Sequence, residues 1–248
     1  ISSSIQEMVG IGHHKLDGLS LSTGDGASIG HLVGYTDTDH HSNPYGLGLT
    51  AGEEKQLFVN TDNTGVAIGV GAGVMSGDRN GNSDHLYANF ADATAKSQSI
   101  EISFTNSKSV ELAFKASAGG HDFMGSIDID AKGNVSLHSV GENNVLTKYE
   151  GSAFKVDSVS GPGLVQNNIY TLKYSGSSEL TGFDFWVVGS DDSSKNSVCN
   201  IKVVDMRFES GEFEARTITN IATATSKEDP YAVVTGSDQY AAVTVSVL

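Results

Sequence analysis

Residues 168–209 confine this chain to β-structure. They read NIYTLKYSGSSELTGFDFWVVGSDDSSKNSVCNIKVVDMRFE and hold three apolar runs, at 169–174, 183–188 and 198–208, separated by loops of Ser, Gly, Asp, Asn and Lys. Each run alternates. Tyr170, Leu172 and Tyr174 fall on one side of a two-residue repeat, as do Phe183, Phe185 and Val187, and then Cys199, Ile201 and Val203. That period puts one set on the buried face of a strand and leaves its polar partners to water. Aromatic and β-branched residues dominate, which suits a half-buried pleated surface. No run keeps a 3.6-residue spacing, so buried helices are excluded. The expectation is an antiparallel β-meander carrying the only Trp, Trp186.

The same alternation recurs upstream. Ile100, Ile102 and Phe104, then Val110, Leu112 and Phe114, then Ile127 and Ile129, then Val135 and Leu137 each mark a strand, and residues 131–134 (AKGN) supply a hairpin turn. Shorter runs lie at 57–59 and 66–74, and the tail holds further ones at 217–224, 231–235 and 242–248. Residues 86–96 (LYANFADATAK) are expected to form one short helix, with Leu86, Phe90 and Ala93 on one face. Strand-like runs separated by turn residues predict an all-β fold: an antiparallel β-sandwich or jelly roll with at most one short helix. No fixed-period repeat appears, which excludes a solenoid or propeller. A chain of 248 residues buries a sufficient core as one domain. The organisation expected is a single domain over 1–248 with an N-terminal arm (1–12) and a C-terminal strand extension (211–248). A possible internal boundary lies at Gly161-Pro162-Gly163.

Charge removes whole classes of function. Fifteen Lys and Arg face thirty Asp and Glu, a formal net charge of −15. Nucleic-acid binding needs a basic patch for the phosphates, and no cluster of Lys or Arg occurs. No apolar run approaches the roughly 18–20 residues of a membrane span. An acidic chain rich in Gly, Ser and Asn suits an extracellular location, and a start at Ile1 fits removal of a signal peptide. The lone Cys199 rules out an intrachain disulfide and reads as a small buried hydrophobe.

The order of segments carries a resemblance. GVAIGVG at 65–71 is followed by the polar loop at 76–84 and SIEISF at 99–104. Then come the strand at 109–114, IDIDAKGNV at 127–135 and CNIKVVDMRF at 199–208. This order resembles bacterial secreted jelly-roll domains of surface-anchored or matrix proteins, over roughly residues 65–208. The resemblance implies an exported protein with a binding or scaffolding role, and brings no catalytic motif.

Oxygen donors make calcium the leading candidate ligand. Asp78, Asn80, Asn82 and Asp84 recur at every second position around Gly81, and hard cations take such carboxylate and amide oxygens. Asp128, Asp130 and Asn134 form a second set, Asp191 and Asp192 a third; the competing reading is plain turn chemistry. The histidine pairs His13/His14 and His40/His41 lack zinc-site spacing. The glycines of 65–74 match no phosphate-binding loop, and no nucleophile elbow exists. Tyr35, Tyr45, Tyr170, Tyr174 and Trp186 are available for a sugar-stacking platform, although Trp186 has core-like neighbours.

Three functions remain open. The first is a structural subunit that self-assembles into a filament, layer or shell, a homo-oligomer or polymer held by exchanged terminal strands. Ile1 and Ile5 at one end and Val243, Val245 and Val247 at the other are its contact candidates. The 242–248 strand, uncharged and without Lys or Pro to blunt it, is a template for pairing. The second is a calcium-dependent glycan-binding or adhesin domain. The third, a polysaccharide-active enzyme, needs a carboxylate pair that thirty acids do not single out.

Overall fold

The computed structural model describes residues 2–22, 26, 28–39, 43–46, 52–90, 98–106, 109–159, 168–190, 198–210, 217–225 and 233–241. It divides into two compact units, Ile1–Gly211 and Glu212–Leu248.

The first unit is almost entirely antiparallel strand. In chain order the strands are β1 (Ser2–Ser4), β2 (Gly12–Leu16), β3 (Leu19–Ser22), β4 (Ser28–Asp37), β5 (Gly52–Lys55), β6 (Leu57–Asp62), β7 (Gly65–Val70), β8 (Met75–Gly77) and β9 (Ser83–Asn89). They continue as β10 (Gln98–Asn106), β11 (Val110–Ala118), β12 (His121–Ile129), β13 (Val135–Val140), β14 (Leu146–Lys148), β15 (Phe154–Val159), β16 (Ile169–Tyr174), β17 (Leu180–Gly189) and β18 (Cys199–Ser210). The one α-helix among the described residues, α1, spans Ile5–Val9. A capping box starts it: Ser4 Oγ accepts from the Glu7 amide, and the Glu7 carboxylate accepts from the Ser4 amide at 2.9 Å.

Pairing sorts these strands into two halves. In one, β3 and β5 share an edge of β4, and β9, β17, β11, β12, β13 and β14 follow in that spatial order. In the other the order is β2, β6, β7, β18, β10, β16, β15, with β1 also laid against β18. β8 pairs with both β18 and β9 and ties the halves together. One apolar core unites their inner faces. Phe104 on β10 meets Phe185 on β17 with ring centroids 5.7 Å apart, and Phe154 on β15 meets Phe114 on β11 at 4.9 Å. Fully burying each such side chain contributes about 1.5–3 kcal/mol. The packing is tight: a Cβ on Gly125 would stand 2.3 Å from the Phe114 ring. The fold is an antiparallel β-sandwich.

The alternation in 168–209 reports the inward faces correctly. Tyr170, Leu172, Tyr174, Phe183, Phe185, Val187, Cys199, Ile201 and Val203 are all buried. The meander is not what they build. β16 and β18 flank β10, whereas β17 lies in the other half between β9 and β11. Period-two alternation fixes which face is buried but is silent on which strand lies beside which. The expected helix at 86–96 is also corrected. Residues 83–89 are strand β9, hydrogen-bonded to β4 and β17, and 91–97 lie outside the described residues. Both faces of β9 are covered, and a strand covered twice loses the alternation that would distinguish it from a helix.

The arm at 1–12 comprises β1 and α1, and Ile5 is fully buried in this sandwich core. Ile1, the 161–163 link and the 242–248 segment with Val243, Val245 and Val247 lie outside the described residues.

The second unit contains a two-stranded antiparallel sheet. β19 (Thr217–Thr225) and β20 (Val233–Ala241) pair over nine residues each, from Thr217 opposite Ala241 to Thr225 opposite Val233. Among the described residues no helix is long and apolar enough to cross a membrane.

Candidate functional site

Strand β17 is buried on both sides. Phe183, Phe185 and Val187 face the core, and the opposite side, Asp184, Trp186 and Val188, is buried as well. The cover is residues 43–46, which follow β4 and lie over the outer face of this half. Trp186 Nε1 donates to the Pro44 carbonyl at 3.0 Å. Tyr45 packs with Trp186, Val188 and Ala113, and its hydroxyl donates to the Glu111 carboxylate. Glu111 also pairs with Arg79 and accepts from Ser126 Oγ at 2.9 Å. Asn144 Nδ2 donates to Asn43 Oδ1 at 3.3 Å. The segment is a strap anchored at Trp186, Glu111 and Asn144.

Beside the strap lies a buried polar trio from three adjacent strands. The Tyr35 hydroxyl (β4) donates to Asp184 Oδ2 (β17) at 2.5 Å, and His85 Nδ1 (β9) sits 3.1 Å from Asp184 Oδ1. Facing a carboxylate, Nδ1 carries the proton. The imidazole is stacked between Tyr35 at 4.4 Å and Trp186 at 4.8 Å. Burial, then the charge of Asp184 and its hydrogen bond, hold the Tyr35 hydroxyl far above its ordinary pKa. His85 Nε2 is buried and meets no hydrogen-bond partner among the described residues. A carboxylate–imidazole pair activates a nucleophile only when a hydroxyl or thiol adjoins the second nitrogen. None does among the described residues; the contacts of the trio tie β4, β9 and β17 together.

The sequence-derived candidates sit elsewhere. Asp78 begins a tight turn: its carbonyl accepts from Gly81 N at 3.0 Å, its amide donates to the Asn82 carbonyl at 3.0 Å, and Oδ1 accepts from Asn80 N at 2.9 Å. Asp84 lies on β9 with both oxygens engaged, Oδ1 by Thr36 Oγ1 and Oδ2 by Ser76 N, each at 2.9 Å. Burial raises its carboxyl against those hydrogen bonds. A cation in this loop competes with both donors. Asp130 closes the β12–β13 hairpin, accepting from Lys132 N, Asn134 N and Asn134 Nδ2, which lower its carboxyl. Asp128 sits near the end of β12. Asp191, Asp192, His40 and His41 lie outside the described residues. His13 and His14 are neighbours on β2; His13 packs edge-on against Phe58. Among the described residues, no three His, Cys, Asp or Glu gather closely enough to hold a metal ion. Tyr35, Tyr45, Tyr170, Tyr174 and Trp186 are all buried, so they form no exposed platform.

A second feature was not legible in the sequence. On the outer face of the other half, a groove of about 470 Å³ is lined by Asn60, Asp62, Thr64, Gly65, Val66, Ala67, Ile169, Lys202, Val204 and Asp205. Its floor is β7, where Gly65 and Ala67 leave room between β6 and β18. The pairing of β10 with β18 slips by one residue between Phe104–Val203 and Ser103–Asp205. This bulge leaves Val204 unpaired and turns both Val204 and Asp205 toward the groove.

No known protein family, curated protein or solved structure matches the chain. Function is therefore argued from the geometry.

Proposed function

We propose that this protein is an extracellular structural subunit that polymerises, with its C-terminal unit adding strands to the sandwich of a neighbouring copy. The observation that carries the reading is the two-stranded sheet of β19 and β20. A lone hairpin is marginally stable in water and needs a third strand or a packed face. Its two strands contain one charged residue between them, Asp238, and neither Lys nor Pro. Such an edge offers a row of backbone donors and acceptors to another chain. A head-to-tail contact of that kind repeats without closing and yields a filament or lattice. The high net negative charge and the single buried Cys199 accord with an extracellular setting.

The test is particle size by sedimentation across a range of concentrations, for the full chain and for a chain ending at Gly211. The full chain should form large particles, and the truncated one should remain a folded monomer. A full chain that stays monomeric, or a truncated chain that assembles as well as the full one, overturns the reading.

A further inference from the structure

The β13–β14 hairpin ends its half of the sandwich on an open edge. Asn143 and Asn144, both left-handed at φ 56° and 61°, make the tight turn between the two strands. β14 pairs with β13 alone, Leu146 opposite Val140 and Lys148 opposite His138. The Val145 carbonyl accepts from Gly141 N at 2.9 Å, and Tyr149 N donates to the Leu137 carbonyl at 3.0 Å. Residues bonded inward alternate with residues bonded outward in an antiparallel ladder, so the N–H and C=O groups of Leu146 and Lys148 point away from β13. They meet no hydrogen-bond partner among the described residues. The strand is exposed throughout. Val145 and Leu146, 56% and 40% exposed, are the only sequence neighbours among the large exposed hydrophobics of the described residues. Charged residues sit on the outer strands β15 (Lys155, Asp157), β2 (Lys15) and β5 (Glu53, Glu54, Lys55), the usual guard against pairing. The uncharged β3 keeps Leu19 and Leu21 at least partly buried, and β1 offers only serines.

We propose that β14 is the edge that receives β20 of a second copy, antiparallel and with Lys148 opposite Asp238. This rests on the polymerisation reading above and adds the docking position to it. Charge complementarity chooses the register. Lys148 is the sole charge in β14, and Asp238 is the sole charge in β19 and β20. Setting them opposite puts Leu146 opposite Tyr240 and Val145 opposite Ala241, so the exposed apolar pair meets apolar residues in the same alignment. Opposite charges and apolar pairs facing each other across strands both stabilise a sheet. A slip of one residue sends the two charges to opposite faces. Within its own chain Lys148 reaches Glu150 at 3.2 Å, an exposed pair that solvent screens.

The experiment is sedimentation of the full chain across a range of concentrations, with a melting temperature taken for each variant. Leu146→Pro removes an outward N–H without touching the ladder to β13. Val145, extended at ψ 120°, accepts a following proline. This variant should keep its melting temperature and raise the concentration needed for assembly roughly tenfold, the scale of one lost hydrogen bond. Lys148→Asp and Asp238→Lys should each raise that concentration about threefold, and the two together should restore it. Assembly unchanged by Leu146→Pro, or charge reversals that fail to rescue each other, overturns the docking edge while the polymerisation reading stands. A parent chain that stays monomeric at every concentration overturns both.

Discussion

Trp186 and Pro44, 142 residues apart in the chain, are joined by a 3.0 Å hydrogen bond from the indole nitrogen to the prolyl carbonyl. The bond fastens the strap over β17 and fixes one face of the His85 stack. Trp186→Phe keeps a ring in place but leaves that carbonyl without its donor. The expected cost is about 2 kcal/mol, a fall in melting temperature of roughly 5 °C. Because Trp186 is the sole Trp, its fluorescence in the native protein reports strap opening directly; a strap that opens without any change in emission contradicts this arrangement.

Glu111 is the strap's second anchor, meeting Tyr45, Arg79 and Ser126. Arg79 is about one-third exposed, so solvent weakens its part of the pairing. Glu111→Gln should destabilise by about 2 kcal/mol. In a double-mutant cycle with Tyr45→Phe, the two changes should couple by at least about 0.5 kcal/mol. Strict additivity in urea unfolding would show that Tyr45 and Glu111 act independently.

Tyr35, with Tyr87 and Tyr174, contributes to the alkaline limit. Its folded pKa lies above its unfolded value near 10. The stability linked to it is fully present below that unfolded value and is lost as pH rises beyond it. Ultraviolet titration should show Tyr35 remaining protonated until the protein unfolds. Tyr35→Phe should flatten the decline in stability above about pH 10. An unchanged slope in that variant contradicts the assignment.

The acid limit has the opposite sign. Hydrogen bonds from Thr64 to Asp62 and from Asn134 to Asp130 lower both carboxyls. Their contribution is present above the unfolded value near 3.9 and is lost as pH falls through the lowered folded values. Asp62→Asn with Asp130→Asn should reduce the loss of stability below about pH 4, read as melting temperature against pH.

Asp84 is expected to matter as a tie and not as a cation ligand. Its oxygens hold Thr36 on β4 and the amide of Ser76 on β8. Asp84→Ala should lower the melting temperature by the same amount with calcium and with EDTA. A cost that appears only in calcium would restore the cation reading of the 78–84 loop.

Local chemistry in this chain is legible from its sequence where neighbours decide it. The Asp130–Asn134 turn and the inward sets of β16, β17 and β18 follow from turn residues and period two. Partners distant in sequence leave no such trace. The ladder that puts Trp186 beside His85 joins segments about a hundred residues apart, and the Tyr35–Asp184 bond spans 149. An Asp inside FDFWVV reads as the watered side of a strand until Tyr35 and His85 are seen to meet it. The groove is hidden for a related reason: the bulge that turns Asp205 outward exists only in the pairing of β18 with β10.

That β1 pairs with β18, Ser2 opposite Glu209, has a consequence for how the molecule is made. β18 stands between β7 and β10, so each of those strands keeps one open edge until the sandwich's last strand has been synthesised. Contacts of such long sequence separation slow the search for the native state, to milliseconds or longer in all-β domains. Until β18 docks, the nascent chain holds two open sheet edges at its centre. The sandwich therefore closes only when its last strand is inserted between two strands already made.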